Sequence, residues 1–136
     1  MADTTFKTPK ISKLGRPFWE AARRGRLVIQ QCRDCAKFTF YPSVICEHCL
    51  SDRLEWQEVS GRGTVESYST VYRPFTKEFV EDVPYTVALV RLDEGIMILT
   101  WLSGVEPDAA RIGMKVEVTF ERMNDEIALH RFRPLA

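Results

Sequence analysis

Four cysteines are the residues whose spacing most directly sets a chemistry. They read Cys32-Arg33-Asp34-Cys35 and, after ten residues, Cys46-Glu47-His48-Cys49. Each C-x-x-C can place two thiolates on one side of a tight turn, and two such turns face to face make a tetrahedral S4 site. Zinc suits that site because it accepts the geometry without redox demands. The same four residues also permit three disulfide pairings. No secretory leader is read before them, and the composition is not that of a small disulfide-stapled domain. Metal is therefore preferred, with disulfides or redox thiols as the alternative. His48 lies inside the second turn and is read as a neighbour rather than a ligand. A site closed by four cysteines has no open position for substrate, which argues against metal catalysis.

Little other chemistry is visible. There is no Gly-rich phosphate loop and no G-x-S-x-G elbow. His130, the other histidine, falls in the last expected strand and reads as a sheet-face side chain rather than a general base. With the cysteines committed to metal, no thiol nucleophile remains. Asp93 with Glu94, and Asp125 with Glu126, sit where turns are expected, and turns favour such residues. One loop stands out, 73–84, which is long for a β connection. It carries Arg73, Phe75, Lys77 and Phe79. That set could clamp an apolar tail and a phosphate, or dock into another subunit; the phenylalanines read equally well as satellite core. Arg62, Arg73, Arg91, Arg131 and Arg133 could share a surface suited to phosphate. Tyr68, Tyr72 and Trp101 could stack on a ring, though they fit a core as well.

Those residues need elements to position them. Residues 1–25 read as a loose arm followed by a short helix, with Pro17 in its first turn and Gly25 as its stop. Phe18, Ala21 and Ala22 share one face, and Trp19 reads as a packed anchor. Residues 26–59 read as a zinc ribbon: a strand over 26–31, a return over 38–42, and a linking strand over 54–59. So short a module cannot bury a full core, so the metal must supply part of its folding free energy. Ser60-Gly61-Arg62-Gly63 marks a break. Residues 60–136 then read as five strands over about 63–72, 85–92, 96–102, 115–121 and 127–133. One helical turn is expected near Asp108–Arg111. Five short strands in so few residues make an OB-like barrel the economical fold. The fold class is thus mainly β: helical segment, zinc ribbon, OB-fold barrel.

Composition limits the rest. Hydrophobic residues are 45% of the 136, enough for a core, and no apolar run is long enough to span a bilayer. The cytoplasm is the expected location. Lys plus Arg equals Asp plus Glu, at 19 each. Residues 1–37 nevertheless hold nine basic and three acidic side chains, net plus six, leaving minus six for residues 38–136. A basic front could meet a phosphate or an acidic partner, or be a solvated arm. A net-negative body disfavours nonspecific nucleic-acid binding.

Several pieces together resemble a known family. They are Pro17-Phe18-Trp19-Glu20-Ala21 with Gly25-Arg26-Leu27, the paired C-x-x-C motifs, Ser60-Gly61-Arg62-Gly63-Thr64-Val65, Pro84-Tyr85 leading to Ala88-Leu89-Val90, Leu92-Asp93-Glu94-Gly95, and Ile112-Gly113-Met114. The set resembles the zinc-ribbon/OB-fold proteins called domain of unknown function 35, described as acyl-CoA-associated. The resemblance runs over about residues 16–134. It implies a rubredoxin-like zinc ribbon and an OB barrel, with Cys32, Cys35, Cys46 and Cys49 as structural zinc ligands. It also implies a thiolase-like or other acyl-CoA enzyme as partner, with the catalytic residues in that partner. The expected function is a non-catalytic subunit of a complex that makes or cleaves C–C bonds next to a CoA thioester. Arg73, Phe75, Lys77 and Phe79 are the expected contacts to CoA or partner. No membrane association is expected, and the alternative is a single-stranded nucleic-acid-binding module. One feature departs from common knuckles: Ala36 and Leu50 follow the C-x-x-C turns where glycine is usual. An alanine forced left-handed there costs about 1 kcal/mol, unless the turns are of another type.

Overall fold

The structure, a computed structural model, describes residues 8–135. The first residues of the expected arm, 1–7, lie outside the described residues. The first element is helix α1, Arg16–Arg23. Pro17 sits in its first turn, where a missing N–H costs no helical bond. The helix ends in a Schellman arrangement: Gly25 N–H donates to Ala22 O and Arg26 N–H to Ala21 O, with Gly25 at φ 75°. Phe18 and Ala22 are buried, whereas Ala21 is half-buried. Trp19 packs edge-on against Phe18, with ring centroids 5.0 Å apart.

The ribbon has three antiparallel strands, β1 Val28–Cys32, β2 Phe38–Thr39 and β3 Leu54–Glu58, in the order β2-β1-β3. The stretch expected to link the modules is thus the ribbon's third strand, pairing with β1 from Val28↔Glu58 to Cys32↔Leu54. The barrel strands are β4 Arg62–Val71, β5 Tyr85–Leu92, β6 Met97–Leu102, β7 Lys115–Arg122 and β8 Ala128–Pro134. They close in the order β4-β5-β6-β8-β7, which is the OB topology. A register shift between Val65 and Ser67 lets the long β4 bend around the barrel. Single 3-10 turns occupy Lys77–Phe79 and Pro107–Ala109.

Alternation on β5 explains the core. Thr86, Ala88, Val90 and Leu92 point inward, while Tyr85, Val87 and Leu89 are half-buried outside. Val65, Ile98, Val116 and Phe132 complete the interior at 0% exposure. Phe18, Leu27, Ile29 and Val59 belong to the same continuous cluster, so the helix and ribbon sit on the barrel rather than beside it. The glycines of the expected break have a steric purpose. A Cβ on Gly63 would lie 2.5 Å from Arg91 O, and one on Gly61 2.5 Å from Val118 Cγ1. Strands β4, β5 and β7 could not approach so closely with any side chain there.

The seam between β6 and β8 is the thinnest part of the wall, bridged by a single parallel pair, Leu102↔Phe132. Side chains reinforce it. His130 Nε2 donates to Leu99 O at 3.1 Å and Thr100 Oγ1 to His130 O at 3.3 Å. His130 shares the inward parity of Phe132, and Phe18 and Phe40 lie edge-on to its ring at 5.7 and 6.3 Å. Its Nδ1 is buried without a hydrogen-bond partner. Burial holds its pKa below the ordinary value, partly opposed by the bond to Leu99 O and helped by Arg131. Among the described residues no helix is long and apolar enough to cross a membrane.

Candidate functional site

The four cysteine sulfurs converge, all within 4.8 Å of one another. Cys32 comes from the end of β1, Cys35 and Cys46 from the two turns, and Cys49 from the outer side of the second. Cys32 Sγ lies 3.6 Å from Cys49 Sγ, and Cys35 Sγ 3.6 Å from Cys46 Sγ. A disulfide needs about 2.05 Å, so these are four free thiols. A tetrahedral site with metal–sulfur bonds of about 2.3 Å places its sulfurs about 3.8 Å apart, and the cluster fits that size. Each turn closes on its own sulfur, with Asp34 N–H aimed at Cys32 Sγ and His48 N–H at Cys46 Sγ. The two turns are also tied together. Asp34 accepts from Ser51 Oγ and, at 2.8 Å, from Arg53 Nη1.

The electrostatics point the same way. The Cys35 backbone N–H draws the Cys32 thiol down to about 6, against its burial. Cys46 is lowered as well: burial raises it, but the N–H groups of Cys49 and His48 outweigh that. At Cys35 the Lys37 N–H favours the thiolate, yet burial and the facing thiols raise it. At Cys49 the Ser51 N–H is similarly outweighed by burial and the other three thiols, and the group is pushed up to about 12. The chain thus favours the thiolate at Cys32 and Cys46 and disfavours it at Cys35 and Cys49, and a cation between the sulfurs would favour it at all four. The cluster is capable of holding a metal ion through Cys32, Cys35, Cys46 and Cys49. His48 stands outside it, its Nε2 3.1 Å from Phe38 O.

The knuckles resolve the departure at Ala36 and Leu50. Both are left-handed at φ 66°, and their N–H groups donate to Cys32 O and Cys46 O as glycines there would. The turns keep the usual geometry and carry its strain.

On loop 73–84, Arg73, Phe75 and Lys77 lie exposed, whereas Phe79 is half-buried with its ring 6.3 Å from Trp101. The loop therefore presents three of the four expected contact residues to the surface and anchors itself with the fourth. Trp101 does not join Tyr68 or Tyr72. It stacks on Tyr85 at 4.0 Å, and the Arg131 guanidinium lies 4.4 Å over its ring. Arg131 is also 3.1 Å from Glu121, Arg133 is 3.2 Å from Glu117, and Arg91 pairs with Glu66. These arginines are neutralised locally rather than offered as one phosphate surface. A depression of about 420 Å³, floored by Trp101, Phe120 and Arg131, lies beside the stack. The Tyr85–Trp101 stack was readable in principle, since both residues sit on the outer parity of neighbouring strands. Nothing in the sequence pairs them across the intervening turn.

The chain matches two adjoining family descriptions: "ChsH2, rubredoxin-like zinc ribbon domain" over residues 19–55 and "ChsH2, C-terminal OB-fold domain" over residues 56–121. It is 38% identical over 126 residues to a "Probable enoyl-CoA hydratase alpha subunit" of Thermomonospora curvata, covering 93% of this chain but 39% of that one. The chain thus spans well under half the length of that relative. It is 34% identical to a "DUF35 domain-containing scaffold protein" of Methanothermobacter thermautotrophicus, covering 76% of this chain and 78% of the other. It is 29% identical to "Benzoylsuccinyl-CoA thiolase subunit BbsA" of Geobacter metallireducens, covering 98% and 89%. Among solved structures, a chain of the "Ltp2-ChsH2(DUF35) aldolase" is 38% identical with TM-score 0.82, covering 93% of this chain and 98% of that one.

Proposed function

This chain belongs to the ChsH2-type DUF35 family of zinc-ribbon and OB-fold proteins, and we propose on that premise that it is a non-catalytic subunit of an acyl-CoA-processing complex. The chemistry, formation or cleavage of a C–C bond next to a CoA thioester, belongs to a thiolase-like or related partner. The observation that carries this is the likeness, along nearly its whole length, to a chain described as a benzoylsuccinyl-CoA thiolase subunit, beside the likeness to a DUF35 scaffold protein and to a chain of the Ltp2-ChsH2(DUF35) aldolase. The geometry supports it. The four sulfurs converge within 4.8 Å of one another, a set that suits a structural ion, and loop 73–84 offers Arg73, Phe75 and Lys77 at the surface.

In this reading Cys32, Cys35, Cys46 and Cys49 hold a structural zinc. Bound there, the ion supplies the cross-link between the two knuckles and no reaction step. A reducing cytoplasm keeps the thiols available for it. The loop 73–84, through Arg73, Phe75 and Lys77, is offered to the partner and to CoA, with Phe79 fixing its base against Trp101. The nucleic-acid alternative loses support from the local pairing of Arg91, Arg131 and Arg133. The test is affinity purification of the tagged chain from its native lysate at gentle salt, with co-purifying proteins identified by mass spectrometry. A near-stoichiometric acyl-CoA enzyme subunit is expected. Recovery of the chain alone, or with nucleic acid that salt removes, overturns the reading.

A further inference from the structure

The thiol cluster is not covered equally on all sides. Cys32 and Cys46 are buried and Cys35 is half-buried, whereas Cys49 is exposed. An ion held by the four sulfurs is therefore reached from the Cys49 side. It leaves by that side once the chain around Cys49 swings outward. What holds that stretch in place sets how long the cluster keeps its ion, because groups around a metal's ligands tune its retention as well as the ligands do.

Residues 51–53 follow Cys49 closely, and three bonds tie them to the first knuckle. Ser51 Oγ donates to one oxygen of the Asp34 carboxylate, and Arg53 Nη1 donates to the other at 2.8 Å. Arg33 N–H donates to Arg53 O at 2.8 Å. The segment is also braced within itself. Arg53 N–H donates to Ser51 Oγ at 3.0 Å, so the hydroxyl passes the grip of the carboxylate on to the backbone. Ser51 O accepts from Cys46 N–H at 2.7 Å, which closes the second knuckle. From the first knuckle, Asp34 thus holds the segment that must move for the second to open. The neighbouring charges do not share in this. Arg33, just past β1, pairs with Glu55 of β3 at 3.2 Å, and Glu47 lies 3.4 Å from His48. Lys37 and Asp52 enter no ion pair among the described residues. An exposed ion pair alone holds little. Here one carboxylate engages two donors on one short segment, and both bonds must break together for the segment to leave.

We infer that Asp34 is a positioning residue for the metal: through Ser51 and Arg53 it latches the second knuckle and slows loss of the ion from the Cys49 side. This rests on the zinc reading above and not on the acyl-CoA partner. The carboxylate acts through the placement of Cys46 and Cys49. The first knuckle does not need it to close on its own sulfur, since the backbone N–H of Asp34, not its side chain, faces Cys32 Sγ.

The test mixes the zinc-loaded full chain and four variants with an excess of a chelating dye. The rate of zinc transfer is read by absorbance, with folding checked by circular dichroism. Asp34→Ala is expected to release zinc about tenfold faster than wild type, and Ser51→Ala about fivefold faster. Ser51→Thr keeps the hydroxyl and is expected to release zinc at the wild-type rate. So is Glu55→Gln, which breaks a ribbon ion pair outside the latch. If Asp34→Ala and Ser51→Ala release zinc as slowly as wild type, there is no latch, while the zinc reading stands. If Glu55→Gln releases it as fast as Asp34→Ala, the effect is a general loosening of the ribbon and the inference is overturned. Should Asp34→Ala fail to fold, Ser51→Ala and Ser51→Thr decide the matter, and equal rates for the two overturn the latch. If the wild-type chain takes up no zinc, the latch and the zinc reading both fall, and the acyl-CoA reading is untouched.

Discussion

In the barrel, Val65, Val90, Ile98, Val116 and Phe132 are fully buried and touch one another through a closed wall. In the ribbon, the large fully buried side chains are Ile29 and two of the cluster cysteines, Cys32 and Cys46. Apolar area stabilises the first region, at roughly 25 cal/mol per Å² removed from water. The second has little such area of its own and borrows from the barrel through Leu27, Ile29 and Val59. The contrast teaches that the ribbon leans on its cysteine cluster and its seat on the barrel, while the barrel rests on its own core.

The largest expected effect breaks that contrast directly. Chelation, or Cys46→Ser, removes a constraint that in isolated zinc fingers is worth on the order of 10 kcal/mol. Hydrogen exchange resolved by segment should then show residues 28–58 unprotected and strands β4 to β8 still protected. Uniform loss of protection would mean that the barrel also leans on the metal. Next, Phe132→Ala should cost about 3–5 kcal/mol by urea denaturation, the usual range for a buried phenylalanine. Its zinc affinity, read by competition with a chelating dye, should change little.

A smaller effect probes the joint between the regions. Burial keeps His130 neutral in the folded chain to lower pH than in the unfolded one, where it titrates near 6.5. The unfolded state therefore binds the proton first as pH falls. The contribution is fully present above about pH 6.5 and is lost progressively below it. His130→Gln retains a donor for Leu99 O but cannot titrate, so its urea midpoint should fall less between pH 7.5 and 5.5 than that of wild type. Equal slopes would remove His130 from the acid response. Smallest is Ala36→Gly. Relief of left-handed strain, less the extra freedom glycine gives the unfolded chain, should leave a gain of about 0.5 kcal/mol. A lower melting temperature would contradict the strain argument.

Much of this was legible because it is local. The bounds of β5 follow from alternation, the end of α1 from Gly25, and the cluster from cysteine spacing. What was not legible depends on partners distant in sequence. The stretch Leu54–Glu58 became the ribbon's third strand because β1 offers it a free edge, a pairing that periodicity does not reveal. The Gln30 amide is hydrogen-bonded to the backbone of Ser43, thirteen residues away. His130 has a buried, unpartnered Nδ1, and the rings that pack edge-on to it, Phe18 and Phe40, come from distant parts of the chain. The knuckle geometry was the clearest case. Sequence left open whether Ala36 and Leu50 accept a left-handed backbone, and the N–H bonds to Cys32 O and Cys46 O decided that they do.

The central claim is that this chain completes an acyl-CoA enzyme without carrying its chemistry. The most direct measurement is thioester turnover by the zinc-loaded chain alone, by the co-purified enzyme subunit alone, and by the two recombined. The account predicts no turnover by the chain alone and a rise in the subunit's turnover on recombination. Turnover by the isolated chain at the rate of the mixture, or a subunit indifferent to its presence, would contradict it.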